Sequence, residues 1–403
     1  MPLLSLPVEL LNYVYRDLSN DVPDRDAITG LHSLCLTSRR LHDSAKPHLY
    51  HNIDLGQCRI LPLLLTLRKD SSLASKVKKL QVNQSWNCNY VKAGMILHQT
   101  GVLPKLPETH DLPSILTLQA DMIDFILSLL PAVEEIDFEL NPLGQFYNSR
   151  HSYNMPGLHS LKFSNKESNE HLHIEILHEL LQAPSLHDLT IATPSPIRIL
   201  EPLDYAALTS LKELNLYTAS MEPDALEDLI RSCPSLESLT YETIAYDMYL
   251  GIRPAMPSEI ITALQSRKKT LRKLNLTFHS FDYMNVDNDV THFGDCITDL
   301  RYLTKLEELN VPSSILPNTW IVEEMAEEIH PDLQLPTSLK KLEITRVHEG
   351  SLPMLGDLSR MVPHDLPNFK NIKLVMSERN EVVESVKQDF VKLGVNVKIT
   401  SLQ

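Results

Sequence analysis

One short pattern recurs along this chain and limits its fold more than any other feature. It is an apolar residue, two polar ones, an apolar residue, one polar, then another apolar. It appears as VKKLQV from Val77, VEEIDF from Val133, LHSLKF from Leu158, LHDLTI from Leu186 and LKELNL from Leu211. It continues as LESLTY from Leu236, LRKLNL from Leu271, LEELNV from Leu306, LKKLEI from Leu339 and FKNIKL from Phe369. The starts are 56, 25, 28, 25, 25, 35, 35, 33 and 30 residues apart. The last apolar positions of each copy alternate with polar ones, the period of a half-buried strand. A proline stands two residues before the pattern at Pro131, Pro156, Pro184, Pro234 and Pro367. Helical spacings precede it in Met122–Leu130, Ile174–Gln182 and Ala225–Cys233. The unit reads as helix, proline stop and short strand. No such unit can bury its own apolar face, so neighbours must stack into a solenoid.

Over residues 75–400 this resembles the leucine-rich-repeat family. The asparagine or cysteine usual three positions after the last leucine is missing, with Ala219, Ile244, His279 and Ser314 there instead. The resemblance implies an α/β fold of irregular strand–helix repeats with a curved parallel sheet. Val386–Ser401 reads as a last helix, a turn at Gly394 and a capping strand.

Ahead of the repeats, Leu6–Leu18 has a helical pattern, with Pro7 near the first turn and Glu9 at the positive end of the dipole. Leu6, Val8, Leu10, Leu11, Tyr13, Val14, Tyr15 and Leu18 spread over roughly 220° of the helical wheel, whereas packing on one core needs only a little over ~100°. A second helical pattern places Leu31, Leu34, Cys35, Leu41, His42 and Ala45 on a stripe of roughly 120°, with Leu36 off it. Pro47 is expected to end that helix, and Leu49–Leu55 alternates like a strand. A segment this small cannot build a sufficient core alone. The spare apolar surface therefore needs a partner, either the first repeat near Ile53 and Val77 or another protein.

Residues 3–55 resemble an F-box, particularly its fungal form. The matching points are Leu6, Pro7, Glu9, Leu10, Leu11, Val14 and Leu18, then Leu34, Cys35, Ser38, Arg39, Leu49 and Tyr50. The tryptophan common late in the second helix is missing, with Arg40 near that place. The resemblance implies docking on a Skp-type adaptor, and through it a cullin and a RING subunit, with the repeats holding a target protein for ubiquitin transfer. It implies an F-box at 3–50 and a solenoid at 51–403, capped at about 386–401. The adaptor contact would be a helix in a groove, drawing on Leu6, Pro7, Glu9, Leu10, Leu11, Val14, Leu18, Leu34, Leu36 and Arg39.

Composition and motifs argue against several other classes. A formal net charge of −15 disfavours nucleic acid and anionic membrane as partners. The five scattered cysteines have no CxxC pair, which fits a reducing compartment, cytoplasmic or nuclear, better than a disulfide framework or zinc site. Glu9, Arg16 and Asp17 interrupt the only N-terminal apolar run, so no signal peptide is expected. His173 and His178 are five apart, not the i, i+4 pair of a helical metal site, and no HExxH, GxSxG, GxGxxG or GxxxxGK[ST] occurs. No cofactor, metal or catalytic residue is expected. The acidic group Glu323, Glu324, Glu327 and Glu328 reads as a solvated helix face, or else a patch for a basic partner. The basic run Arg267–Lys273 reads as a turn plus strand edge.

If the strands line a wall, the polar positions between the buried ones face solvent. These include Glu135, Asp137 and Glu139, then Asp188 and Thr190, Glu213, Asn215 and Tyr217, and Ser238, Thr240 and Glu242. The acidic trio on one strand would favour a positively charged partner, unless it only solubilises. The long insertions at 83–118 and 278–293 would emerge as loops that bind or pack. Two readings follow. One is a non-enzymatic substrate receptor; the alternative is a repeat scaffold or inhibitor with no link to ubiquitin. Adaptor binding separates them.

Overall fold

A computed structural model describes residues 6–20, 25–56, 60–82, 95, 98–99, 101, 121–140, 153–165, 172–173, 178–193, 196–198, 208–243, 254–278, 296–317, 333–347, 351–376 and 381–401. The chain forms two compact units, Met1–His187 and Asp188–Gln403.

All ten copies of the pattern form strands that begin at the third residue of the copy. In the first unit β1 (Asn52–Asp54), β2 (Lys79–Val82), β3 (Glu135–Leu140) and β4 (Ser160–Asn165) pair in that order. All three pairings are parallel, in the register Asn52, Lys79, Glu135, Ser160. Three short strands, β5 (Leu172–His173), β7 (Pro196–Arg198) and β9 (Ser220–Met221), lie outside these rows. In the second unit the order is β6 (Asp188–Ala192), β8 (Glu213–Tyr217), β10 (Ser238–Thr243), β11 (Lys273–Phe278), β12 (Glu308–Pro312), β13 (Lys341–Val347), β14 (Asn371–Met376) and β15 (Asn396–Ser401). The first residues of these strands are register partners throughout. Burial explains the fixed register. Leu189, Leu214, Leu239, Leu274, Leu309, Leu342 and Ile372 form one row, none more than 1% exposed. A slip of one residue would turn that row to solvent.

The repeats share a joint. The carbonyls of His51, Lys78, Glu134, Lys212, Glu237, Arg272, Glu307 and Lys340 each accept two amides from the next repeat, at 2.7–3.2 Å. Each donor pair consists of the residue before a strand and the strand's first residue. The prolines do other work than stopping helices. The carbonyls of Leu130, Met155, Ala183, Cys233 and Leu366 accept from the amide three residues on at 3.1–3.5 Å. Each proline therefore holds the second position of a turn, where its fixed φ fits. Arg267 in the basic run reaches back to the preceding repeat. Its Nε and Nη2 donate to the Ile230 and Arg231 carbonyls at 3.1 and 2.7 Å. These are the last two carbonyls of the helix Pro223–Arg231, where the helix's own ladder runs out.

At the N-terminus the expected second helix is two helices, α2 (Arg25–Thr37) and α3 (Arg39–Leu49), following α1 (Val8–Asn20). The break is at Ser38, whose extended backbone and hydroxyl, accepting from the Leu41 amide at 3.2 Å, cap α3. Pro47 does not end this helix but lies inside it, and only Asn52–Asp54 of the expected strand forms. Leu11, Tyr15, Leu31, Leu41 and Ala45 make a buried cluster, with Leu6, Leu34, Cys35 and Leu49 packed against it. Replacing Ser38 by alanine should cost about 1 kcal/mol, read as a lower denaturation midpoint of the helical segment.

At the other end, the last helix starts earlier than expected and spans Glu381–Lys392. Gly394 takes φ +78 and β15 pairs β14 as the closing strand. A side chain at Gly394 would be strained by that φ.

Candidate docking surfaces

The wide apolar arc of α1 divides. Leu11 and Tyr15 are fully buried, and the Tyr15 hydroxyl meets Ser44 Oγ at 3.4 Å while its ring lies 5.5 Å from His48. Leu10, Tyr13 and Val14, which share a separate arc of about 100° of the wheel, remain 49%, 71% and 40% exposed. Pro7 and Glu9 are also exposed. Leu11, expected as a docking anchor, has no surface to offer, because it fills the helical core. Leu6 and Leu34 are half-buried against the same cluster, and the Leu6 carbonyl accepts from Arg40 Nη2 at 3.1 Å. Leu36 is 74% exposed and Arg39 is exposed on α3. The side chain of Leu18 lies outside the described residues. Sequence reasoning missed Tyr13, the most exposed large residue of the face; its place beside Leu10 on the wheel was the available signal.

On the strands the outward residues are engaged across repeats. Glu135 meets Lys79 at 2.6 Å and Asp137 meets Lys162 at 3.3 Å. The acidic trio on β3 therefore does not make a purely negative surface: lysines on the neighbouring strands answer it. Glu139 is half-buried further along β3. In the second unit Glu308 lies 3.8 Å from both Lys273 and Lys341, and Glu343 lies 2.7 Å from Lys373. Just before the strands, Glu307 sits between Arg272 at 2.9 Å and Lys340 at 2.8 Å. Such half-exposed pairs contribute ~0.2–1 kcal/mol each. Thr240, expected to face solvent, is buried. Tyr217 is 37% exposed, Asn215 donates to Thr190 Oγ1 at 3.4 Å, and Asp188 and Glu242 are half-buried.

The hydrogen bond from Lys340, with the Lys340 and Arg272 charges, holds the Glu307 carboxyl below the usual carboxylate range. Lys78 does the same for Glu134. A depressed carboxyl adds stability above its unfolded value, about pH 4.3, and loses it as pH falls through the lowered value. The urea midpoint should therefore fall on acidification below about pH 4, and Glu307→Gln should blunt that fall.

The described residues hold little reactive chemistry. Burial pushes the Cys233 thiol up to about 12, and its Sγ donates to the Leu229 carbonyl, so it is no nucleophile. No group of three His, Cys, Asp or Glu among the described residues could hold a metal ion. No described helix is long and apolar enough to cross a membrane. The insertions at 83–118 and 278–293 and the acidic group at 323–328 fall largely or wholly outside the described residues.

Comparisons complete the picture. No curated protein matches the chain. Among solved structures, an internalin (InlF) from Listeria monocytogenes str. 4b F2365 aligns over 96% of this chain and 98% of its own, at 14% identity and a TM-score of 0.41. Residues 151–290 match the family model described as "FBD-associated F-box protein At5g56370, LRR repeats". The middle of this chain is thus similar to the leucine-rich repeats of an F-box protein.

Proposed function

We propose that this chain is the substrate-recognition subunit of a Skp–cullin–F-box type ubiquitin ligase. Its F-box is of the fungal type, and it works in the cytoplasm, the nucleus or both. One observation carries the reading: an exposed apolar face on α1, formed by Leu10, Tyr13 and Val14, ahead of repeats similar to those of an F-box protein. Three large apolar side chains on one helix face suit insertion into an adaptor groove. The repeat wall would then hold the target, and the RING subunit would drive transfer from its bound conjugating enzyme. The chain's own part is to bind and orient.

The test is co-purification with a Skp-type adaptor of the full chain and of a chain lacking residues 1–50. A stoichiometric complex that vanishes with the deletion is expected. A soluble full chain that captures no adaptor would instead leave a protein-binding repeat scaffold.

A further inference from the structure

The outward face of the second unit's sheet is polarised in charge. Across its middle, acids and bases alternate from strand to strand: Lys273, Glu308 and Lys341 are successive register partners. Such an order stabilises cross-strand pairs. The two ends break the rule in opposite senses. Asp188 and Glu213 are register partners on β6 and β8, and neither has an ion-pair partner among the described residues. Lys373 and Lys398 are register partners on β14 and β15; Lys373 is shared with Glu343, while Lys398 is exposed. Like charges set opposite one another disfavour pairing, so sheet stability accounts for neither the Asp188–Glu213 pair nor Lys398. Tyr217, on the same face as Glu213 and four residues along β8, adds an exposed aromatic ring at the acidic end.

From this polarity we infer that the wall takes an extended segment of a target protein that crosses the strands. Its basic side chains lie over β6 and β8, and its acidic ones over β14 and β15. The inference rests on the receptor reading only in taking the wall as the surface that meets the target. Seven strand spacings of ~4.8 Å separate β6 from β15, so the segment spans about 34 Å, or about ten extended residues. A lysine or arginine of the segment can also stack on Tyr217.

The probe is a labelled twelve-residue peptide of four lysines, four serines and four glutamates in blocks, against a peptide of the same composition with the charges alternating. Binding is measured on the full chain by fluorescence anisotropy at low salt. The block peptide is expected to bind at least fivefold tighter, with the difference shrinking as salt is added. Asp188→Lys with Glu213→Lys, and separately Lys398→Glu, should each remove the preference. Arg360→Glu, a charge reversal on the helix Leu352–Asp365, should keep it. Equal binding of the two peptides, no binding of either, or a preference that survives in either face variant overturns the inference. Adaptor capture is measured on the same preparations. Capture without peptide preference sinks this inference alone, and preference without capture sinks the receptor reading alone.

Discussion

Full-length protein carrying Leu10→Glu and Val14→Glu should no longer co-purify with a Skp-type adaptor, while its helical content and thermal midpoint stay unchanged. Both side chains are 40–49% exposed, so neither substitution opens a hole or buries a charge. In a docked groove each would lose an apolar anchor worth on the order of 2 kcal/mol and place a carboxylate there instead. Affinity should fall at least ~100-fold. Leu11→Glu is the counterpart. It places a charge in the cluster of Tyr15, Leu31, Leu41 and Ala45 and should unfold the helical segment. If the double variant unfolds as Leu11→Glu does, the exposed face serves the protein's own core and the receptor reading loses its main support.

The second large effect is expected in the repeats. Phe278 closes β11, is 1% exposed, and packs its ring 6.2 Å from Tyr241 at 55°. Its carbonyl accepts from Arg346 Nη1 at 3.0 Å. Phe278→Ala should cost about 3–5 kcal/mol through lost burial and the cavity left behind, lowering the thermal midpoint by on the order of 10 °C. Tyr217→Ala, at the half-exposed end of β8, should shift it by less than a quarter as much. Scanning calorimetry of the two variants beside the parent checks both. Equal shifts would mean that the core under β10 and β11 repacks around the gap.

The strands were legible because ten copies of one pattern carry their own period, and burial of its leucines sets the register. What escaped was information that a single segment does not contain. The apolar stripe from Leu31 to Ala45 runs unbroken through Ser38, so periodicity alone could not see the cap that splits α2 from α3. On α1 the total arc was legible, but a helical wheel cannot say which part meets a neighbour. Leu10 and Leu11 are adjacent in sequence, yet one lies outside and the other in the core. The charge on β3 misled for the same reason. Lys79 and Lys162, which answer Glu135 and Asp137, sit in the copies before and after, and only the register brings them alongside.

The shared carbonyl joint has a consequence for how such a chain can change. Successive copies stand 25 to 56 residues apart, yet every strand in each unit starts level with its neighbours. At eight of these strand starts one acceptor gripping two amides fixes the mouth of the strand, whatever length of chain has passed since the last. Added or lost residues are absorbed between joints, so one repeat can be lengthened without shifting the next out of step. Loops can then diverge as independent cassettes while the wall they leave from keeps its alignment.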